Sequence, residues 1–261
     1  MSEPKIQQKV IIIGATSGIG RELATIYAKK GYFVGITGRR NELLLSLQNK
    51  FPKNIVTECF DVTQKENIPH LQTLIQKLDG LDILIYNSGA GDVSKELDWD
   101  IEKRTTEVNV NGFVEIVCYA FNYLVNQGYG QIACTSSIAS IRGNSHAPAY
   151  SASKAYESTY MEGLYFKAKK LKKNITITDI QPGFVDTGLA IGDGKFWVAT
   201  PQKAALQMYQ AIKNKKKIAY ITKRWWIIAK FLKWMPDFIY GKIYRYKSFN
   251  IKLSNSIIDI K

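Results

Sequence analysis

The stretch Val10-Ile-Ile-Ile13, followed without a break by Gly14-Ala-Thr-Ser-Gly18-Ile-Gly20, decides the fold. Four consecutive β-branched residues suit a strand buried on both faces, as in a parallel sheet. Glycines in G-x-x-x-G-x-G spacing then turn the chain. A helical pattern follows to Lys30, and Gly31 stops it. Strand, glycine turn and helix bring the free N–H groups of a helix N-terminus to a strand end, where they can hold a phosphate. The spacing is not G-x-G-x-x-G, and by itself the loop reads equally as a tight strand-to-helix turn.

Working outward, residues 32–37 form a second strand that runs into Gly38-Arg39-Arg40. Dinucleotide-binding folds often place an acid here for a ribose 2′-hydroxyl, whereas a 2′-phosphate needs a cation. Two arginines and no acid favour NADP(H) over NAD(H), with Arg39 the first candidate and Arg40 beside it; a solvated basic turn is the alternative. Asn41 is expected to cap a helix to Lys50. Strands follow at 55–60, ending in Asp61-Val62, and at 81–86, ending in Asn87-Ser88-Gly89-Ala90. A long helix over 99–126 contains Asn109. A fifth strand at 131–135 delivers Ser136 and Ser137, a helix covers 150–170, and a sixth strand at 175–180 leads to Pro182-Gly183-Phe-Val185-Asp-Thr187. Thr200-Pro201 opens a helix to Asn214, and a seventh strand covers 218–222. Strands alternate with helices and there is no repeat. That pattern predicts an α/β fold with one doubly wound parallel sheet, helices on both faces, and ligands at the C-terminal strand ends.

Tyr150-Ser-Ala-Ser-Lys154 places a phenol and an ammonium on one helical face, one turn apart. A free phenol titrates near ~10, and a neighbouring ammonium favours its ionised form. The pair is an acid–base device, and a serine hydroxyl from the adjacent strand would hold a carbonyl or alcohol oxygen beside it. Alone, a Y-x-x-x-K pattern is ordinary helix surface. It gains meaning from the glycine loop at the start of the chain.

Over residues 8–222 these motifs, in this order and spacing, resemble the short-chain dehydrogenase/reductase family. The resemblance implies a Rossmann-like seven-stranded sheet in the order 3-2-1-4-5-6-7. It implies that Gly14, Gly18 and Gly20, with Thr16, Ser17 and Ile19 between them, line the cofactor pyrophosphate. Asp61 and Val62 would flank the adenine, with Asn87 and Gly89 supporting the adenosine side. Tyr150 would be the general acid in reduction, Lys154 would bond the nicotinamide ribose, and Ser137 would bind the substrate oxygen. Asn109 would hold a water linking Lys154 to a proton relay. Pro182, Gly183, Val185 and Thr187 would line the nicotinamide end. Two departures stand out: the turn Asn87-Ser-Gly-Ala90 replaces an Asn-Asn-Ala-Gly-like one, and no basic residue stands at Ser17. Ser136 competes with Ser137, but thirteen residues separate Ser137 from Tyr150 as the family requires, and strand alternation turns Ser136 away.

The 261 residues carry a net charge of +14, of which +11 lies from Lys213 onward. Cys59, Cys118 and Cys134 show no metal-ligand spacing, so no metal is expected, and they read as reduced, buried thiols of a cytoplasmic protein. No uncharged apolar run reaches ~18 residues, so no membrane-spanning helix is expected. Residues 1–222 are expected to form the Rossmann domain and 223–261 a helical extension. In that extension Trp225, Ile228, Ala229, Leu232, Met235 and Ile239 should lie opposite Lys230, Lys233 and Asp237. A cationic, tryptophan-rich helix of this kind suits contact with a membrane surface through 223–249; packing on the domain or on a partner is the alternative. Nucleic acid is disfavoured, because the aromatic residues sit within an aliphatic face. Residues 187–200, with Gly192, Gly194, Phe196 and Trp197, suit a mobile flap over an apolar substrate, or a surface loop. The expected activity is NADP(H)-dependent hydride transfer to a carbonyl, on a lipidic substrate or a small soluble ketone; an NADP-binding sensor or scaffold is the non-enzymatic alternative. The family also implies a homodimer or homotetramer.

Overall fold

The computed structural model describes residues 7–94, 96–188 and 196–242. Seven parallel strands form a single sheet: β1 (Lys9–Ile13), β2 (Phe33–Gly38), β3 (Ile55–Cys59), β4 (Ile83–Tyr86), β5 (Tyr129–Thr135), β6 (Asn174–Pro182) and β7 (Ile218–Ile221). They run in the order β3-β2-β1-β4-β5-β6-β7, as the family resemblance implied. The break in sequence order at β1, flanked by β2 and β4, opens a crevice at the C-terminal strand ends. Strand alternation divides the β1 side chains between the two faces of the sheet. Val10 and Ile12 join the core under α1 (Gly18–Lys29) and α7 (Pro201–Lys213). Ile11 and Ile13 join the core under α3 (Asn67–Leu78) and α5 (Phe113–Gln127). All four are fully buried, which is why the strand carries no polar residue between them.

Several local expectations change. Asn41 is the first residue of α2 (Asn41–Lys50) rather than its cap; Arg40 holds the N-cap position and sends its side chain elsewhere. The helix α3 was not foreseen, since its proline and polar residues blur the apolar period. The helix expected at 99–126 is three segments: α4 (Trp99–Thr106), a π-helical stretch Glu107–Gly112 and α5. Its full span, Trp99–Gln127, is long and apolar enough to cross a membrane by length and composition. Its apolar face, including Phe113, Ile116, Val117, Ala120 and Leu124, is instead buried against the sheet. Of the cysteines, Cys134 is buried but Cys59 and Cys118 are exposed, so the apolar sequence around those two does not carry their side chains inward.

The chain forms two compact units, one ending at Trp225 and the other beginning at Trp226. Along α8 (Trp225–Trp234) and just beyond it, Trp225, Ala229 and Met235 of the expected apolar side are buried and Ile228 and Leu232 are half-buried, but Ile239 is exposed. A second apolar set, Trp226, Ile227, Phe231, Trp234 and Phe238, is exposed and shares its surface with Lys230, whose Nζ lies 4.5 Å from the Trp226 ring centre. The expected cationic stripe is therefore interleaved with aromatic residues. Gly192 and Gly194 of the expected flap, and Arg245 and Lys247 of the tail, lie outside the described residues.

Candidate active site

The glycine loop is held by backbone geometry. Gly14 has φ of +86°, a region that favours glycine, and a side chain there would strike Ser88. At Gly20 a side chain would strike the Gly14 carbonyl. Asn87 locks this turn to the rest of the crevice: its Nδ2 donates to the Gly14 carbonyl at 2.9 Å, and its Oδ1 accepts from Thr135 Oγ1 at 3.0 Å. Ser17 is the N-cap of α1, yet its side chain caps nothing and the first turn holds no acid, so the helix N-terminus is left open to an anion. Ile19 is partly buried beneath the loop, and Thr187 lies against Gly18.

Arg40 supplies in space the cation missing at Ser17: its Nη2 donates to Thr16 Oγ1 and to Ser17 Oγ, both at 2.7 Å. Arg39 turns the other way, with Nη1 3.5 Å from Asp61 Oδ2 and half of its side chain exposed. The other Asp61 oxygen accepts from the Thr63 N–H and Oγ1, each at 3.0 Å. Val62 is buried against Gly112. Both arginines thus border the glycine loop and the end of β3, with Arg40, not Arg39, on the loop itself. At the far end of the crevice Pro182 closes β6, Gly183 follows, and Val185 pairs with Ala199. Gly89 lies, partly buried, in the segment after β4.

The acid–base side is built where β5 meets α6 (Pro148–Lys170). Ser137 caps a single 3-10 turn, Ile138–Ser140, its Oγ accepting from the Ala139 N–H at 3.1 Å, which leaves the hydroxyl proton to donate. Ser136 points away: it donates to Ile180 O at 3.1 Å and to Asp179, which also accepts from Ser158 at 2.6 Å and Gln181 at 2.7 Å. Strand alternation accounts for the two serines pointing apart. The π-helical stretch turns Asn109 inward. Its Oδ1 accepts from the Ala90 N–H at 2.8 Å, and its Nδ2 donates to Ala90 O at 2.7 Å and Ser153 Oγ at 2.9 Å. Asn109 therefore ties the loop after β4 to α6, using its side-chain groups on protein partners. His146, which the sequence places between Ser137 and Tyr150, holds Ser94 through its backbone carbonyl at 2.8 Å.

Lys154 is almost fully buried. Its Nζ donates to Thr135 O at 3.0 Å and to both oxygens of Glu157, at 3.0 and 2.8 Å, and lies 5.9 Å from the centre of the Tyr150 ring. Burial works against the ammonium, but Glu157 outweighs it and the Lys154 pKa is raised above the ordinary lysine value. Burial likewise pushes the Glu157 carboxyl up to about 7, against the pull of Lys154. Glu157 was not singled out from the sequence, although an acid three residues after a functional lysine shares its helical face. Gly91 was missed too: a side chain there would collide with the Tyr150 ring, so the loop after β4 is the wall that sets the phenol's position.

With this geometry in view, the comparisons give the class. Residues 8–195 match the family model of the short chain dehydrogenases, and the chain belongs to that family of oxidoreductases. An uncharacterized oxidoreductase of Myxococcus xanthus is 32% identical over 185 residues, covering 69% of this chain and 72% of its own. Another, from Staphylococcus saprophyticus, is 30% identical over 194 residues, covering 71% and 82%. Among solved structures, ElxO with NADP bound has a TM-score of 0.73 at 22% identity, covering 83% of this chain and 97% of its own. A 3-ketoacyl-(acyl-carrier-protein) reductase from Brucella melitensis, complexed with NADH, has a TM-score of 0.73 at 18% identity, covering 83% and 97%.

Proposed function

We propose that this protein transfers hydride between NADP(H) and a carbonyl or secondary alcohol carbon, with Tyr150 moving the proton. The observation that carries the reading is the Lys154 ammonium, held by Thr135 O at the end of β5 and 5.9 Å from the centre of the Tyr150 ring, with Ser137 two residues beyond Thr135 in the chain. The uncapped N-terminus of α1 and the glycine turn fit a pyrophosphate, and Arg39 and Arg40 fit a 2′-phosphate. NADH and NADP both occur among the structural neighbours, so the preference rests on the arginines. The bound nicotinamide supplies or accepts the hydride. Ser137 donates its hydroxyl proton in a hydrogen bond to the substrate oxygen and orients it. Tyr150 then gives its phenolic proton to that oxygen, and the Lys154 ammonium favours the phenolate left behind. Asn109 holds the loop after β4 in register with α6 while this happens.

The substrate side favours an apolar molecule. Phe184, directly after Gly183, meets Phe196 and Trp225 edge-on with ring centres 5.9 and 5.5 Å apart, and Trp197 packs on the same group. A lipidic carbonyl compound suits this aromatic group, and the tail by itself exposes Trp226, Phe231, Trp234 and Phe238 beside Lys230, a composition suited to a membrane surface. Co-sedimentation of the full chain with phosphatidylserine vesicles at low salt is the expected result. Failure to sediment would leave a small soluble ketone as the substrate class.

Fluorescence titration tests the cofactor. NADPH should bind more tightly than NADH, and Arg40→Ala and Arg39→Ala should each weaken NADPH by about tenfold, the worth of one charge-assisted contact, while sparing NADH. Equal binding of the two cofactors in every variant would overturn the phosphate assignment. Tyr150→Phe tests the chemistry: kcat should fall about 10³-fold with NADPH affinity retained. If wild type and variant alike reduce no carbonyl in a broad panel while binding NADPH, the chain is a cofactor-binding sensor or scaffold.

A further inference from the structure

The proton-transfer reading uses Tyr150 and Lys154 but leaves Glu157 without a task. These three residues recur at offsets of four and three along α6 and so share one face. Glu157 is fully buried, and both of its oxygens bond the Lys154 ammonium; the third donor of that ammonium goes to Thr135 O, one residue before Ser136-Ser137. Every N–H of Lys154 is therefore directed, and two of the three by Glu157.

The groups that face Glu157 come from four elements. On α6 there is Lys154, itself beside Tyr150; on β5, Cys134; on β6, Asp179; on β4, Tyr86. Asp179 is turned to Ser136, Ser158 and Gln181, and Tyr86 donates to Val108 O at 2.7 Å, so neither supplies a counter-charge for the lysine. A buried ammonium without a partner sheds its proton, because desolvation then acts unopposed. Thr135 O alone offers a dipole and no charge.

We propose that Glu157 is a positioning residue, which keeps Lys154 charged and seated against the end of β5 so that an ammonium stands beside Tyr150. The proposal rests on the reading of Tyr150 and Lys154 as the proton-transfer pair. The role is exerted through Lys154, since Glu157 itself lies sealed from the crevice. It also explains an acid in a helix face that is otherwise given to Met161, Leu164 and Ala168, where an apolar residue would bury at lower cost.

The test is the titration of Lys154 itself, read from its 13Cε resonance in 13C-lysine-labelled full-length protein and assigned by its loss in Lys154→Met. In wild type Lys154 should keep its proton to a higher pH than the surface lysines. In Glu157→Gln it should lose it before them, a fall of about one pH unit or more. Glu157→Asp, which retains the charge on a shorter side chain, should restore part of the difference. Coincident titration of Lys154 in wild type and Glu157→Gln overturns the proposal. Should Glu157→Gln fail to fold, Glu157→Met, which also removes the charge, carries the comparison, and a Lys154 resonance that titrates there as in wild type overturns it equally. Failure of the underlying reading shows in a different measurement: a Lys154→Met enzyme with wild-type turnover and NADPH affinity would remove Lys154 from the chemistry, whatever Glu157 does to its titration.

Discussion

Two lysine–glutamate pairs at opposite places in the fold have nearly the same bond length and contrary electrostatics. At the edge of the sheet, Lys77 of α3 meets Glu58 of β3 at 2.6 Å, with 42% and 18% of the side chains exposed. Under the crevice, Lys154 meets Glu157 at 2.8 Å, with 4% and 0% exposed. At the edge, burial works against the Glu58 carboxylate, but Lys77 and His70 together outweigh it and its pKa is lowered below 4.5. At the core, burial wins and the Glu157 pKa is raised from 4.5 to about 7. The same two residue types thus make a solvated brace in one place and a costly, pH-sensitive device in the other. The cost is the sign of a function: buried ion pairs seldom gain stability over apolar packing, so one retained beside Tyr150 serves something else.

The contrast is most easily broken by cutting each pair. Lys154→Met strands a buried carboxylate and should cost about 3–5 kcal/mol of unfolding free energy at pH 8, measured in urea. The double variant Lys154→Met/Glu157→Gln should recover much of that loss. A cost for Lys154→Met no larger than that of the edge variant would mean burial is not what separates the pairs.

pH sharpens the comparison, because the two carboxylates carry opposite signs. Glu157 has a folded-state pKa above its unfolded value, so its contribution is fully present below about pH 4.5 and lost as pH rises through about 7. The stability of wild type relative to Glu157→Gln should therefore fall across that window. Glu58 has a folded-state pKa below 4.5, so its contribution is present above that pH and lost as pH falls. Wild type relative to Glu58→Gln should lose stability on acidification. Parallel trends in the two series would refute the assignment of burial as the cause. The smallest effect is at the edge: Lys77→Met should cost under about 1 kcal/mol, and salt should shrink it further.

Much of the candidate site was legible before any coordinates. The glycine turn, Asn87, Ser137, Tyr150-x-x-x-Lys154 and Pro182-Gly183 are local patterns whose spacing is set by a strand end or a helical turn, and the fold places them along one crevice. Less legible were the residues whose partners are remote in sequence. Arg40 was ranked behind Arg39, since nothing in Gly38-Arg39-Arg40 says which side chain reaches Thr16 and Ser17. Gly91 shows its purpose only against the Tyr150 ring, and Asn109 only against Ala90 and Ser153. In the tail, the expected apolar stripe is buried at Trp225, Ala229 and Met235 but exposed at Ile239, and the second, exposed set from Trp226 to Phe238 was not anticipated.

The order of the strands came with the family resemblance, whereas the sequence by itself determined the class of fold and the face of α6 that carries Tyr150 and Lys154. Those follow from periods of two and 3.6 residues and from glycines at fixed offsets, which are properties of a short stretch of chain. Only the tertiary structure decided which charges are buried and with whom. Glu58 and Glu157 are the same residue in the sequence; they differ because one lies at a wet sheet edge and the other where β4, β5, β6 and α6 exclude water, and the cost of a charge depends on that exclusion.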